Sequence, residues 1–115
     1  MLPSLMPEIR YYISGDRSPF ADWFAELESV ARAKVTTAIA RIEQGNFSNA
    51  KSVGAGVLEY RIDFGPGYRV YFGRDGDVLV ILLCGGTKKR QQRDIQAAIA
   101  CWRDYKRYKR RRQGT

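Results

Sequence analysis

The 115-residue sequence predicts a single α+β domain: a small, mostly antiparallel sheet with an N-terminal helical hairpin on one face and a C-terminal helix. Three observations predict it. Apolar residues recur at helical spacing in two adjacent stretches before residue 46, residues alternate with period two from Val57 to Phe72, and a third helical pattern follows a short apolar run, Val78 to Cys84. A chain of this length and ordinary composition supports one core, so residues 1–115 are expected to form one domain.

Each element has its own signal. Ile9, Tyr11 and Ile13 alternate within Glu8 to Ser14, a first strand that Ser14-Gly15-Asp16 ends. Ser18-Pro19 offers an N-cap followed by proline at the first helical position, where a missing N–H costs nothing. Phe20, Trp23, Phe24 and Leu27 then mark one apolar helix face, which core packing explains better than an aromatic recognition stripe. A second helix starts near Ser29, carries Val35, Ile39 and Ile42, and meets Gly45 at its C-terminal cap. The polar stretch from Asn46 to Gly56 reads as a loop.

Beyond it, Leu58, Tyr60 and Ile62 alternate with Glu59, Arg61 and Asp63, and Tyr68, Val70 and Phe72 alternate with Arg69 and Tyr71. Gly65-Pro66-Gly67 and Asp75-Gly76 supply the turns. The run Val78 to Cys84 is apolar on both faces, as expected of a central strand covered on both sides. Gly85-Gly86-Thr87 closes that strand, and Ile95, Ala98, Ile99 and Trp102 mark the last helix. The predicted order is βααβββα, with a basic tail at about 106–115 that frays after Trp102 or Tyr105.

Charge and composition narrow the function. The net charge is +8, and residues 103–112 hold seven Arg or Lys against one Asp, so most of the excess lies near the C-terminus. Such an excess favours polyanions or an acidic protein, against the plainer reading of a solvated tail. Histidine is absent, which removes imidazole triads, imidazole zinc sites and the usual general base. Cys84 and Cys101 sit in apolar and helical contexts and are expected to be buried thiols rather than a disulfide. With no secretory pattern at Met1 to Pro7 and no apolar run longer than seven residues, a cytoplasmic protein without membrane contact is expected.

The alternation predicts a site. Glu59 and Arg61 share one strand face, and the hairpin brings Arg69 and Tyr71 alongside, with Lys88, Lys89 and Arg90 at the rim. The other face of the sheet is free for the helices. Guanidiniums grip phosphate oxygens, a carboxylate can take a proton from a ribose 2′-hydroxyl, and Tyr71 can stack on a base or orient the phosphate. Composition alone favours a solvated face crossed by ordinary ion pairs.

Leu58-Glu59-Tyr60-Arg61-Ile62, Gly65-Pro66-Gly67-Tyr68-Arg69-Val70-Tyr71 and Leu82-Leu83-Cys84-Gly85-Gly86-Thr87-Lys88-Lys89, continued by Gln91, Asp94-Ile95 and Ala98, resemble the phage Gp49-like, HigB-type branch of the RelE/ParE toxin superfamily. The resemblance implies a RelE-like fold and the toxin of a bacterial type II toxin–antitoxin module. By that resemblance the protein would be a ribosome-dependent mRNA endonuclease, an mRNA interferase that needs no metal or cofactor. It would be neutralised by a cognate helix-turn-helix antitoxin, and would meet operator DNA only through that antitoxin.

In the family pattern Arg69 would be the phosphate and transition-state ligand, Glu59 the general base and Arg61 a basic strand residue. Lys88 and Lys89, with Arg90 beside them, would contact the substrate backbone or the leaving group. The absence of histidine leaves the general acid unassigned. Members of the same superfamily that resemble ParE inhibit DNA gyrase, and a non-toxic, antitoxin-binding repressor subunit is the third alternative.

Overall fold

A computed structural model describes residues 6–113. Five strands and three helices follow in the order β1 (Glu8–Tyr11), α1 (Pro19–Ala25), α2 (Ser29–Glu43), β2 (Ala50–Gly54), β3 (Val57–Ile62), β4 (Tyr68–Asp75), β5 (Leu79–Thr87) and α3 (Gln91–Gln113), with a 3₁₀ turn at Lys88–Arg90 before α3. The strands form one sheet in the order β1-β5-β4-β3-β2. Only the β1–β5 pair is parallel, so the predicted α+β architecture with a mostly antiparallel sheet holds, and it is consistent with a RelE-like fold.

The local signals for α1 and α2 operate as expected. Ser18 Oγ accepts from Ala21 N–H at 3.0 Å, Pro19 opens α1, and Gly45 takes the left-handed conformation just past α2. The hairpin lays its apolar stripes on one face of the sheet. Phe20, Val35, Ala38 and Ile42 bury themselves there against Tyr60, Ile62, Val70, Phe72, Val80 and Leu82.

Three expectations are corrected. The stretch from Asn46 to Gly56 contains a strand, β2, paired antiparallel with β3. Its residues, Ala-Lys-Ser-Val-Gly, are mostly exposed on a sheet edge, so backbone pairing holds them and no apolar alternation marks them. Second, Gly85-Gly86-Thr87 continues β5 instead of closing it. The glycines clear room beside the strand: a Cβ on Gly85 would lie 2.2 Å from the Trp23 ring, and one on Gly86 would lie 1.8 Å from Asp94 Oδ2. Third, the last helix, expected to end in a frayed tail after Trp102 or Tyr105, continues to Gln113, and residues 114 and 115 of that tail lie outside the described residues. Tyr105 Oη donates to Asp75 Oδ2 at 2.6 Å and Lys109 Nζ reaches Asp75 Oδ1 at 2.5 Å, so β4 holds the later turns.

The largest difference concerns the second face of the sheet. That face is covered by α3, whose Ile95, Ala98 and Trp102 pack on Tyr12, Val57, Tyr71, Ile81 and Leu83 in a second core. Glu59, Arg69 and Tyr71 are therefore buried under a helix rather than open to solvent. The apolar stripe of α3 needs a surface to bury, and α1 and α2 already occupy the first face. No helix among the described residues is long and apolar enough to cross a membrane.

Candidate functional site

The antiparallel register pairs Glu59 with Tyr71 and Arg61 with Arg69, and β5 sets Gly86 opposite Arg69. The short hairpin therefore brings all four side chains of the expected site together. Their exposures separate them. Glu59 is 0% exposed, the Arg69 side chain 6% and the Arg61 side chain 51%. Lys88, Lys89 and Arg90 are exposed in the 3₁₀ turn that precedes α3.

Glu59 is the hub. Its Oε2 accepts from Tyr71 Oη at 3.0 Å and from Gln91 Nε2 at 2.9 Å, and lies 3.7 Å from Arg69 Nε. Its Oε1 accepts from Arg61 Nε at 3.3 Å. A carboxylate stripped of water needs such donors to keep its charge. Both oxygens are thus engaged, and a substrate hydroxyl approaching from solvent does not reach them without displacing Gln91 or Arg61. The expected direct general base is in this structure a buried anchor.

Arg69 is likewise turned inward. Its Nη1 donates to the Gly67 carbonyl at 2.7 Å, and its buried Nε has no hydrogen-bond partner, only the Glu59 charge nearby. Gly67 is required beside it: its φ is +78°, and a Cβ there would stand 3.0 Å from Arg69 Nη1 and 3.3 Å from Lys88 Cβ. The same Gly67 carbonyl accepts from Lys88 N–H at 2.9 Å, which seats the 3₁₀ turn and its cations over Arg69. The exposed guanidinium of the cluster is Arg61, whereas the family resemblance put the most weight on Arg69.

Tyr71 is fully buried, so its ring offers no stacking surface. Burial, with the Glu59 charge beside it, pushes its phenol far above the ordinary range, leaving a hydrogen-bond donor that does not ionise. Asp94 closes the cluster from α3. Its carboxyl is raised by burial against the lowering effect of Arg90, Arg93 and the Thr87 N–H, and its Oδ2 is buried without a partner.

Gln91 is the residue to which sequence reasoning assigned no role. Its signal was its spacing: Gln91, Ile95, Ala98 and Trp102 share one face of α3, so a polar side chain sits in line with a buried stripe. Cys84 and Cys101 are free, and burial pushes the Cys84 thiol up to about 12, far from a reactive thiolate. No group of three or more Cys, Asp or Glu side chains among the described residues has the arrangement of a metal site. A separate cleft of about 560 Å³ lies between the end of β1 and α3, lined by Tyr11, Tyr12, Ile13 and Asp104 among others, and it holds none of the expected site residues.

What the cluster can do chemically follows from its charges. One buried carboxylate faces two guanidiniums, and an exposed lysine pair with Arg90 adds further positive charge at the rim. The outward side presents positive charge anchored from beneath, a chemistry suited to an anion.

Residues 22–102 match the family described as "Phage derived protein Gp49-like (DUF891)". An uncharacterised protein of Haemophilus influenzae is 49% identical over 80 residues, covering 69% of this chain and 81% of that protein. The matched region runs from α1 to Trp102 and contains the whole Glu59 cluster with its Gln91 cover. The chain therefore belongs to the phage-derived Gp49-like family, a family linked to RelE-like toxin–antitoxin proteins.

Proposed function

We propose that this protein is the HigB-type toxin of a type II toxin–antitoxin module, and that it cuts mRNA on the ribosome. The observation that carries the reading is the Arg61 guanidinium, half-exposed and held at its root by the buried Glu59, beside exposed Lys88, Lys89 and Arg90. In this reading Arg61 and the three rim cations grip the scissile phosphate and its neighbours. Charge that develops on the phosphate oxygens as the 2′-hydroxyl attacks meets cations already in place, which need no reorganisation at that moment. The 2′-oxygen displaces the 5′-oxygen at phosphorus, its proton passing to solvent water while water protonates the departing oxygen, so the products would be a 2′,3′-cyclic phosphate and a 5′-hydroxyl.

Glu59 takes a different role from the expected general base. It acts as a positioning residue, fixing Arg61 from below and balancing the buried Arg69 charge, while Tyr71 and Gln91 hold it in turn. A cognate antitoxin would restrain the activity. Inducing the protein and mapping the 5′ ends of cellular RNA tests the proposal: new cuts in translated messages, in phase with codons, are expected. Intact messages with normal gyrase supercoiling in the same cells would sink the enzyme reading. Intact messages with trapped gyrase–DNA complexes would move the protein to the ParE-like alternative, for which the long basic α3 is the structural motive.

A further inference from the structure

The C-terminal half of α3 plays no part in the Glu59 cluster. Arg103, Lys106, Arg107, Arg110 and Arg111 recur at i, i+3, i+4, i+7 and i+8, so they share one face of the helix, and all five are exposed. The opposite side of this stretch is held against the sheet. Trp102 stacks on Tyr105 with ring centroids 5.2 Å apart, and Tyr105 and Lys109 both close on Asp75 of β4. Among the described residues, ion pairing here is limited to Lys109 with Asp75, so the five outward cations have no carboxylate partner.

Cations four apart on one helix face repel, and Arg103, Arg107 and Arg111 form one such row while Lys106 and Arg110 form another. The repulsion opposes the helix that carries them. A clasp from β4 nevertheless holds that helix, presenting five cations without a carboxylate partner along about 12 Å of helix at 1.5 Å per residue. Order maintained against repulsion points to a polyanion as the missing counter-charge.

We propose that this face is a docking surface for double-helical RNA, gripped through its phosphates. The choice of RNA rests on the RNase reading above. The choice of two strands rests on charge density. A duplex presents about one phosphate charge per 1.7 Å of axis, or roughly seven over the stripe, whereas one stacked strand presents about half that, fewer than the five cations can engage. Single-strand sites also add aromatic platforms for unpaired bases. Here Trp102, beneath Lys106, is buried, Tyr105 is half-buried with its hydroxyl on Asp75, and the exposed Tyr108 lines the cleft beside β1 rather than the cationic face, so the stripe reads backbone charge alone.

The test is binding of the full chain to a labelled RNA duplex of about 20 base pairs, followed by fluorescence anisotropy from about 0.05 to 0.3 M salt. The duplex should bind more tightly than either of its separate strands. Replacing Arg103→Gln, Arg107→Gln and Arg110→Gln together should weaken duplex binding at least about 30-fold at 0.1 M salt and reduce the log–log salt slope by about 2 to 3. Circular dichroism checks that the triple variant keeps its helix. Should that helix be lost, the salt slope of the unmodified chain decides, and a value shallower than about −3 overturns the proposal. Equal or tighter binding of the single strands, tighter binding of a DNA duplex of the same sequence, or an unchanged slope in a folded variant overturns it as well. Neither ribosome nor cleavage enters the measurement. A chain that binds the duplex and cuts nothing refutes the RNase reading alone, and one that cuts mRNA but ignores the duplex refutes the docking surface alone.

Discussion

A carboxylate with no exposed surface is costly to bury unless donors replace the water it has lost, and Glu59 accepts from Tyr71, Gln91 and Arg61 with the Arg69 guanidinium beside it. The two arginines share this anchor but differ in exposure, which separates what their removal should do. Arg69→Ala strips the buried carboxylate of its buried counter-charge and leaves the Gly67 carbonyl with Lys88 N–H alone, and breaking a buried pair from one side costs about 3 to 5 kcal/mol. Arg61→Ala removes a half-exposed partner, and such pairs are worth about 1 kcal/mol or less to the fold. Toxicity should not follow that order. Loss of a preorganised charge at the reacting phosphate costs about 2 to 4 kcal/mol of transition-state stabilisation, roughly 30- to 1,000-fold in rate. We expect Arg61→Ala to keep its urea midpoint within a few tenths of a molar and lose toxicity, and Arg69→Ala to lose both. A stable, fully toxic Arg61→Ala protein would remove Arg61 from the site.

At the scale of elements, the clasp between β4 and α3 has a pH signature. Asp75 is held below the ordinary carboxylate range first by the Lys109 hydrogen bond and next by that of Tyr105, with burial opposing and losing. A carboxyl whose folded pKa lies below its unfolded value stabilises the fold fully above the unfolded value, here near 3.8, and that contribution is lost as the pH falls through the folded value. Asp94 acts with the opposite sign, since burial raises it and acid relieves the cost of its charge. Comparing Asp75→Asn with the parent cancels Asp94. The variant should be less stable at pH 7 by about 1 kcal/mol, the typical net worth of a hydrogen-bonded contact. That gap should stay constant down to about pH 5 and close below about pH 4. Urea titrations at each pH measure it, and a gap that widens in acid would contradict the clasp.

The elements also show how much was legible before the fold was seen. Helices α1 and α2 and the alternation of β3 and β4 were legible because their apolar residues sit at the spacing their packing requires. Strand β2 was not, because an exposed edge is held by backbone pairing that leaves no trace in side-chain type. The grouping of Glu59, Arg61, Arg69 and Tyr71 was legible from period two alone. Their burial was not, because polar residues on one face look alike whether they meet water or one another. The countersign was β5, whose Ile81 and Leu83 point to the same face as Tyr71 and demand a cover there. Polar alternation in β3 and β4 outweighed it.

For the whole molecule, the sheet is the middle of three layers, with a core on each side. The second core exists only because α3 supplies Ile95, Ala98 and Trp102, each large apolar side chain worth roughly 1.5 to 3 kcal/mol when fully buried. A domain of this size has about 5 to 15 kcal/mol of net stability, so losing that layer is decisive while losing the basic turns beyond it is not. A chain ending at Tyr105 keeps the three packing residues, the Gln91 bond to Glu59 and the Tyr105 bond to Asp75. It should unfold cooperatively, having lost the Lys109 bond to Asp75 and the Lys106 contact over the Trp102 ring. A chain ending at Arg90 uncovers Val57, Tyr71, Ile81 and Leu83 and opens the Glu59 carboxylate to water while Tyr71 and Arg69 lose their cover. We expect it to show no cooperative calorimetric transition. If it melts as sharply as the full chain, the sheet and helical hairpin form a complete domain by themselves, and α3 is a lid on the Glu59 cluster rather than half of the core.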